Sequence, residues 1–223
     1  MRPTIDLAAV DAAVSADGLT VTGAFYATPD DRVPEGCATL CLIGPADGRM
    51  WTTFDMSAEA ADGAAHPLDR WSRRVIEQAA DRLGAEALFP FGGPPWLPFL
   101  AWAARAEGAM PSPIGMSVTA ARGLHASWRG ALAFATRLNG VGAPVPVPCE
   151  SCARPCVTAC PVDAFATGRY DVDGCRAFLA TPHGADCRAQ GCKARRVCPA
   201  SAALPQAQRA FHLAAFLGAS RPR

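Results

Sequence analysis

The alternation of hydrophobic and polar positions along the first part of the chain predicts both strands and helices. Two short apolar runs rich in β-forming residues, GLTVTGAFYA (18–27) and ATLCLIGP (38–45), predict strands. In residues 66–84, apolar side chains recur at helical spacing, and Gly84 stands where the C-terminal cap of a helix belongs. The apolar stripe of this predicted helix consists of Leu68, Trp71, Val75, Ala79 and Leu83.

Strand and helix signals continue to alternate up to residue 138. The run ALFPF (87–91) predicts a strand, WLPFLAWAARAEG (96–108) a helix, and RGALAFATRL (129–138) a further strand. Strands separated by helices indicate an α/β layer structure. The Gly- and Pro-rich stretch GVGAPVPVP (140–148) has the composition of a connector.

We therefore predict a boundary near residue 145. The expected organisation is an α/β domain over residues 1–144, a cysteine-rich module over residues 145–203, and a C-terminal helix and tail over residues 204–223. The last part includes LPQAQRAFHLAAFLG (204–218), whose pattern favours a helix.

Composition and charge exclude several classes of protein. No run of the 223 residues reaches the roughly 18 uninterrupted apolar residues of a membrane span. The first 18 residues lack the basic flank and apolar core of a secretory signal, so we expect a cytoplasmic protein. Residues 1–148 hold 11 Arg against 15 Asp or Glu, and residues 149–223 hold 10 Lys or Arg against 5 Asp or Glu. This modest basic excess, without interleaved aromatic residues, argues against nucleic-acid binding and leaves an acidic partner protein as an expectation.

The cysteines are concentrated in one region: eight of the ten lie between residues 149 and 198. The run CESCARPCVTACP (149–161) has the spacing C-x2-C-x3-C-x3-C-P, one residue longer than the C-x2-C-x2-C-x3-C-P run of two-cluster ferredoxins. A looser run, C-x11-C-x4-C-x5-C-P, follows from residue 175 and also ends in Cys-Pro. A structural zinc site is the alternative, but zinc ligands usually come as two separated C-x2-C pairs. The spacing therefore favours two [4Fe–4S] clusters.

The ferredoxin rule predicts which cysteines share a cluster, because the fourth cysteine of each run ligates the cluster held mainly by the other run. The first cluster is then assigned to Cys149, Cys152, Cys156 and Cys198. The second cluster is assigned to Cys160, Cys175, Cys187 and Cys192. The two remaining cysteines, Cys37 and Cys41, flank an apolar run and are predicted to be buried free thiols.

Several basic residues accompany the cysteines in the sequence. Positive charge there would raise the cluster potentials and attract an acidic electron donor or acceptor. A solvated surface without such a role explains the same residues equally well. They are Arg154, Arg176, Arg188, Lys193, Arg195 and Arg196.

The segment PFLAWAARAEGAMPSPIGMSVTAARGLHASWRGALAF (98–134), followed by the cysteine run at 149–161, resembles the epoxyqueuosine reductase family. That family shows kinship to corrinoid-processing and reductive-dehalogenase proteins, and the resemblance covers roughly residues 86–200. It implies a nitroreductase-like α/β domain, with a cleft that faces the clusters and holds a cobalamin in the relatives, joined to a ferredoxin-like module with two [4Fe–4S] clusters. Folds of this kind also bind flavin.

The chain departs from the family at two motifs. In the family's D-x-x-P-x-x-E-R pattern, Pro98 is kept but Pro95 stands in the position of the catalytic acid. The family's Gly-Lys-Asn turn reads Gly115-Met116-Ser117 here, without the lysine. We therefore assign no catalytic residue and expect electron transfer rather than epoxyqueuosine reduction.

The resulting functional expectation is a relay of single electrons through two clusters to a cofactor or substrate in the N-terminal domain. Two alternatives stay open: a corrinoid-dependent reductase, and a ferredoxin-like docking partner of a larger enzyme. The aromatic and proline-rich stretch FPFGGPPWLPF (89–99) either lines a flat ligand or is a stiff connection whose aromatic rings fill the core, and we favour the connection. The sequence leaves open whether the protein is itself an oxidoreductase.

Overall fold

The computed structural model describes residues 5–201 except 47, 148 and 167, together with residues 205, 206, 209, 210 and 213. The described chain mixes α-helices with small antiparallel sheets, so the mixed α/β prediction is confirmed. Apart from these five positions, the C-terminal helix and tail predicted over 204–223 lie outside the described residues.

The regular elements are short, and we number them in chain order. The helices are α1 (Leu7–Ser15), α2 (Arg49–Asp55), α3 (Ala58–Ala61), α4 (Pro67–Leu83), α5 (Phe99–Glu107), α6 (Val172–Leu179), α7 (Ala185–Gln190) and α8 (Lys193–Arg196). The strands are β1 (Leu19–Tyr26), β2 (Thr39–Pro45), β3 (Glu86–Leu88), β4 (Met110–Pro111), β5 (Ser117–Val118) and β6 (Gly130–Phe134). Single 3-10 turns lie at Pro29–Asp31, Pro155–Val157, Pro182–Gly184 and Pro199–Ser201.

The chain forms two compact units and passes between them more than once. The first unit contains Met1–Gly108 and Ser127–Val145, and the second contains Ala109–Ala126 and Pro146–Arg223. The predicted boundary near residue 145 coincides with the later junction. Residues 109–126, predicted to be part of the N-terminal domain, lie in the second unit, where their apolar side chains, including Val118 and Leu124, pack in one core with Cys156.

The first unit is built on a four-stranded antiparallel sheet with the strand order β1-β2-β6-β3. All residues of β2 and β6 are buried, as expected of strands that read as continuous apolar runs rather than alternating ones. Helix α4 packs its apolar face, with Trp71 and Val75, against the core and ends at Gly84 in the left-handed conformation (φ 66°). The predicted strands and helices of this unit are therefore present. β1, β2, α4 and α5 are slightly shorter than their sequence runs, whereas β6 covers only the first half of 129–138 and β3 ends at Leu88 instead of residue 91.

The two isolated cysteines lie in the first unit as free thiols. Cys41 is fully buried within β2, opposite Leu132 of β6, and Cys37 is half-buried just before the strand. Burial raises the pKa of the Cys41 thiol to about 12, which keeps it protonated and unreactive at neutral pH. The prediction of buried free thiols is confirmed for Cys41, while Cys37 is partly exposed.

The second unit consists of the β4–β5 hairpin, short helices and 3-10 turns. One buried cluster joins the hairpin region to Cys156 and Ala194, and another joins Leu179, Cys187 and Leu213. Cysteine side chains thus form part of the core of this unit. Among the described residues, no helix is both long enough and apolar enough to cross a membrane.

Candidate metal centres

Four cysteines of the second unit line one small cavity, which we call the first cavity. An open groove of about 740 Å³ shares Cys149, Cys152 and Cys198 with it. The complete lining of the first cavity is Cys149, Cys152, Cys156 and Cys198 with Ser112, Pro113, Val118, Leu124, Arg154, Pro155 and Pro199.

A tight turn brings the dense cysteine run around this cavity. Arg154 takes the left-handed conformation (φ 54°), and Pro155 then begins the 3-10 turn that contains the buried Cys156. The backbone N–H of Arg154 donates a hydrogen bond to Cys152 Sγ over 3.3 Å. The longer C-x3-C spacing is therefore accommodated in a turn that still directs both flanking cysteines into one cavity.

The other four cysteines line a second small cavity. Cys175 lies on α6, the buried Cys187 lies on α7, and Cys192 is the residue immediately before α8. Helices rather than one loop therefore carry the widely spaced cysteines. The complete lining of the second cavity is Cys160, Cys175, Cys187 and Cys192 with Pro161, Val162, Phe165, Phe178, Leu179, Lys193, Ala194 and Leu213.

The last cysteine of each sequence run lines the cavity of the other run. Cys160 and Pro161 line the second cavity, whereas Cys198 and Pro199 line the first. The structure thus brings together the same two sets of four cysteines that the exchange rule grouped. That each set ligates a cluster stays a prediction.

Two thiols of the second set accept hydrogen bonds within the unit. The backbone N–H of Ala164 donates to Cys160 Sγ over 3.4 Å, and the Tyr170 hydroxyl donates to Cys175 Sγ over 3.3 Å. The ring of Tyr170 stacks on Phe165, with centroids 4.9 Å apart and an interplanar angle of 20°. Hydrogen bonds of this kind stabilise sulfur that carries negative charge.

The thiols of the first set influence one another electrostatically. Burial raises the pKa of Cys149, and the neighbouring Cys198 and Cys152 raise it further. Burial likewise raises the pKa of Cys156, again with a contribution from Cys198. Four thiolates at one cavity repel each other, so losing their protons requires a compensating positive charge, which a bound metal group supplies.

The six basic residues near the cysteines do not all have the same role. Arg195 donates to the carbonyl oxygen of Leu124 over 2.6 Å, and Arg196 pairs with Asp186. Arg188 donates to the carbonyl oxygens of Leu179 and Thr181. These three side chains hold parts of the second unit together. Arg154 and Lys193 are exposed beside the first and second cavities, respectively, and Arg176 is exposed on α6.

An open groove of about 870 Å³ lies in the first unit. The stretch 89–99 lines part of it with Pro90, Leu97 and Pro98, while Phe89 and Phe99 are buried, as expected of a connection whose aromatic rings fill the core. The indole N–H of Trp128 donates to Glu107 Oε1 over 2.6 Å and so fixes one wall. The groove is lined by Arg32, Pro90, Leu97, Pro98, Phe99, Leu100, Ala101 and Trp128.

Two contributions to the cysteine sites were not predicted from the sequence. One is segment 109–126, whose Val118 and Leu124 line the first cavity. The other is Tyr170, which precedes Cys175 by five residues and has no spacing that marks it as a partner of that thiol. A hydrophobic pattern alone could not separate either from ordinary core residues.

No three His, Cys, Asp or Glu side chains within the described ranges lie close enough together to hold a single metal ion. The cysteines lie instead around the two cavities described above. Comparison of the chain with known protein families, curated proteins and solved structures finds no match.

Proposed function

We propose that this protein transfers single electrons through two [4Fe–4S] clusters, one held in each cysteine-lined cavity of the second unit. The observation that carries the proposal is the exchange: eight cysteines line two cavities, four at each, and the Cys-Pro end of each run faces the cavity of the other. This arrangement is the one that two-cluster ferredoxins use. A ferredoxin-like module is accordingly part of the proposal.

The residues around the cavities suit such a group. Thiolates are soft ligands that select iron–sulfur clusters, zinc and cuprous ions. In the first cavity, Val118 and Leu124 supply an apolar wall, and in the second, Phe178 and Leu179 do the same. Apolar walls limit water access to the sulfurs, while the donors at Arg154 and Ala164 stabilise negative charge on them. A bound [4Fe–4S] cluster would supply reversible one-electron transfer.

The first unit is proposed to be the electron-accepting part, with a nitroreductase-like domain that binds a cofactor or substrate. The sequence resemblance supports this assignment through residues 98–108 and 127–134, which lie in the first unit, as does the open groove with its single cationic lining residue, Arg32. A corrinoid or a flavin is the proposed type of cofactor. Such a protein would be a corrinoid-dependent reductase if a corrinoid copurifies from cells supplied with cobalamin.

The partner that supplies electrons is proposed to be an acidic redox protein. Residues 149–223 carry twice as many basic as acidic residues, and Arg154 and Lys193 are exposed beside the cavities. Surface charge of this sign speeds the encounter with an acidic partner.

The decisive experiment measures iron and acid-labile sulfide in anaerobically purified protein, together with electron paramagnetic resonance after dithionite reduction. We expect about eight irons and eight sulfides per chain and the magnetically coupled signals of two reduced clusters. Four of each would leave one cluster, and zinc without sulfide would contradict the proposal.

A further inference from the structure

One thiol of the second cavity, that of Cys175, accepts a hydrogen bond from a side chain that the ligand spacing does not explain. Tyr170 is half-buried, and its hydroxyl donates to Cys175 Sγ over 3.3 Å. In the other thiol hydrogen bonds described above, the donors are the backbone N–H groups of Arg154 and Ala164. A side-chain donor differs from these because one substitution removes it without changing the backbone.

Contacts on both sides of Tyr170 hold this hydroxyl in place. Its ring stacks on Phe165, which itself lines the second cavity. The next residue, Asp171, donates its backbone N–H to the carbonyl oxygen of Ala164 over 2.8 Å and caps α6 by accepting from the backbone N–H of Gly174. The hydroxyl and the thiol of Cys175 are thus positioned by the same short segment.

We infer that Tyr170 is a positioning residue that acts through Cys175 to raise the reduction potential of the cluster in the second cavity. The inference rests on the proposed function. A reduced cluster carries one more negative charge than an oxidised one, and part of that charge lies on the ligating sulfurs. The O–H···S hydrogen bond therefore stabilises the reduced form more than the oxidised form.

The test is an anaerobic redox titration of Tyr170→Phe, followed by electron paramagnetic resonance. We expect the ratio of reduced to oxidised second cluster at a fixed potential to fall by about three- to tenfold, which corresponds to about 28–59 mV for one electron. Iron and sulfide content and the potential of the first cluster should stay unchanged. The matched control is Tyr26→Phe, which removes a hydroxyl that donates to the carbonyl oxygen of Leu138 in the first unit.

A second measurement covers the case in which Tyr170→Phe fails to load its cluster. The chain contains two tyrosines, so in the Tyr26→Phe variant global 3-fluorotyrosine labelling alters the Tyr170 hydroxyl alone. Fluorine makes the hydroxyl a stronger donor, and the potential of the second cluster should shift upward, opposite to the shift in Tyr170→Phe.

The outcomes separate this inference from the proposed function. Wild-type protein without iron and sulfide would mean that the proposed function itself is wrong. Normal cluster content with unchanged potentials in both Tyr170→Phe and the fluorinated protein would overturn the role of Tyr170 alone.

Discussion

The two cavities hold the same number of cysteines, but the chain builds them differently. In the first cavity, Cys149, Cys152 and Cys156 come from one short loop, and a left-handed residue followed by a 3-10 turn aims them inward. In the second, Cys175 and Cys187 come from different helices, so the position of each thiol depends on how those helices pack. A loop accommodates an inserted residue by a local change of conformation. Cysteines on separate helices need no fixed spacing in the sequence, because the packing of the helices sets the distances between their thiols.

The cavities also differ in their surroundings. An open groove adjoins the first cavity, and Arg154 is exposed at its edge. The second is walled by Phe165, Phe178 and Leu213, and it includes the hydroxyl-bonded Cys175. If both bind clusters, solvent exposure and hydrogen bonding will tune their potentials by different means. Three sets of substitutions test this comparison.

The largest effect is expected from substituting the last cysteine of either run, because that cysteine lines the cavity of the other run. Cys198→Ala should remove the first cluster and halve the iron content to about four per chain, although Cys198 is the last cysteine of the second run in sequence. Cys160→Ala should remove the second cluster. The measurement is the paramagnetic spectrum of each variant, compared with those of Cys156→Ala and Cys187→Ala.

Cys37→Ser is the control for this series, because Cys37 is a partly exposed free thiol in the first unit, and it should retain all eight irons. A Cys198→Ala spectrum that matches Cys187→Ala rather than Cys156→Ala would show that the clusters are not exchanged.

A smaller effect, on the stability of the second unit, is expected from a substitution in segment 109–126 where it packs on Ser201, just after the second cysteine run. Gly123 has φ +52°, and a Cβ there would lie 2.7 Å from the backbone nitrogen of Ser201. Gly123→Ala should therefore lower the free energy of unfolding of the second unit by about 3 kcal/mol, through backbone strain and overpacking. Denaturation followed by visible cluster absorbance measures it.

Gly115→Ala is the matched control for the packing part of this effect. Gly115 has a similar left-handed conformation (φ +77°), but a Cβ there would meet no atom within 4 Å. We expect a loss of about 1 kcal/mol from the conformation alone. Equal losses in the two variants would argue against the close packing of Gly123 on Ser201.

The smallest effect concerns the helix that carries Cys175. Asp171 caps α6 by accepting from the backbone N–H of Gly174 over 2.9 Å, and Asp171→Ala should destabilise that helix by about 1 kcal/mol. A chelator should then remove the second cluster faster than in wild-type protein, while the first cluster is lost at its usual rate. The decay of each paramagnetic signal during chelation measures the two rates.

Asp6→Ala is the control, because Asp6 caps α1 of the first unit with the same kind of hydrogen bond, accepting from the backbone N–H of Ala9, three residues on, over 2.8 Å. It should leave both rates unchanged. Faster loss of the first cluster in Asp171→Ala would mean that the two sites are not independent.

Much of this protein could be predicted from short stretches of its sequence. The strands β2 and β6, the helix α4 with its Gly84 cap, and the burial of Cys41 all follow from hydrophobic periodicity and local conformational preference. The grouping of the cysteines into two sets of four likewise follows from their sequence, because the exchange rule applies to two runs that each end in Cys-Pro.

Other features were decided by the tertiary structure. Segment 109–126 belongs with the cysteines because Ser201 accepts from the backbone N–H of Leu124, 77 residues earlier, and donates to the carbonyl oxygen of Arg122. The Tyr170 hydroxyl meets Cys175 because stacking on Phe165 and the start of α6 orient it. Hydrophobic periodicity and ligand spacing are recognisable in the sequence because they involve residues that are close together along the chain. Contacts between distant segments, and the direction of one hydroxyl, depend instead on how the whole unit packs.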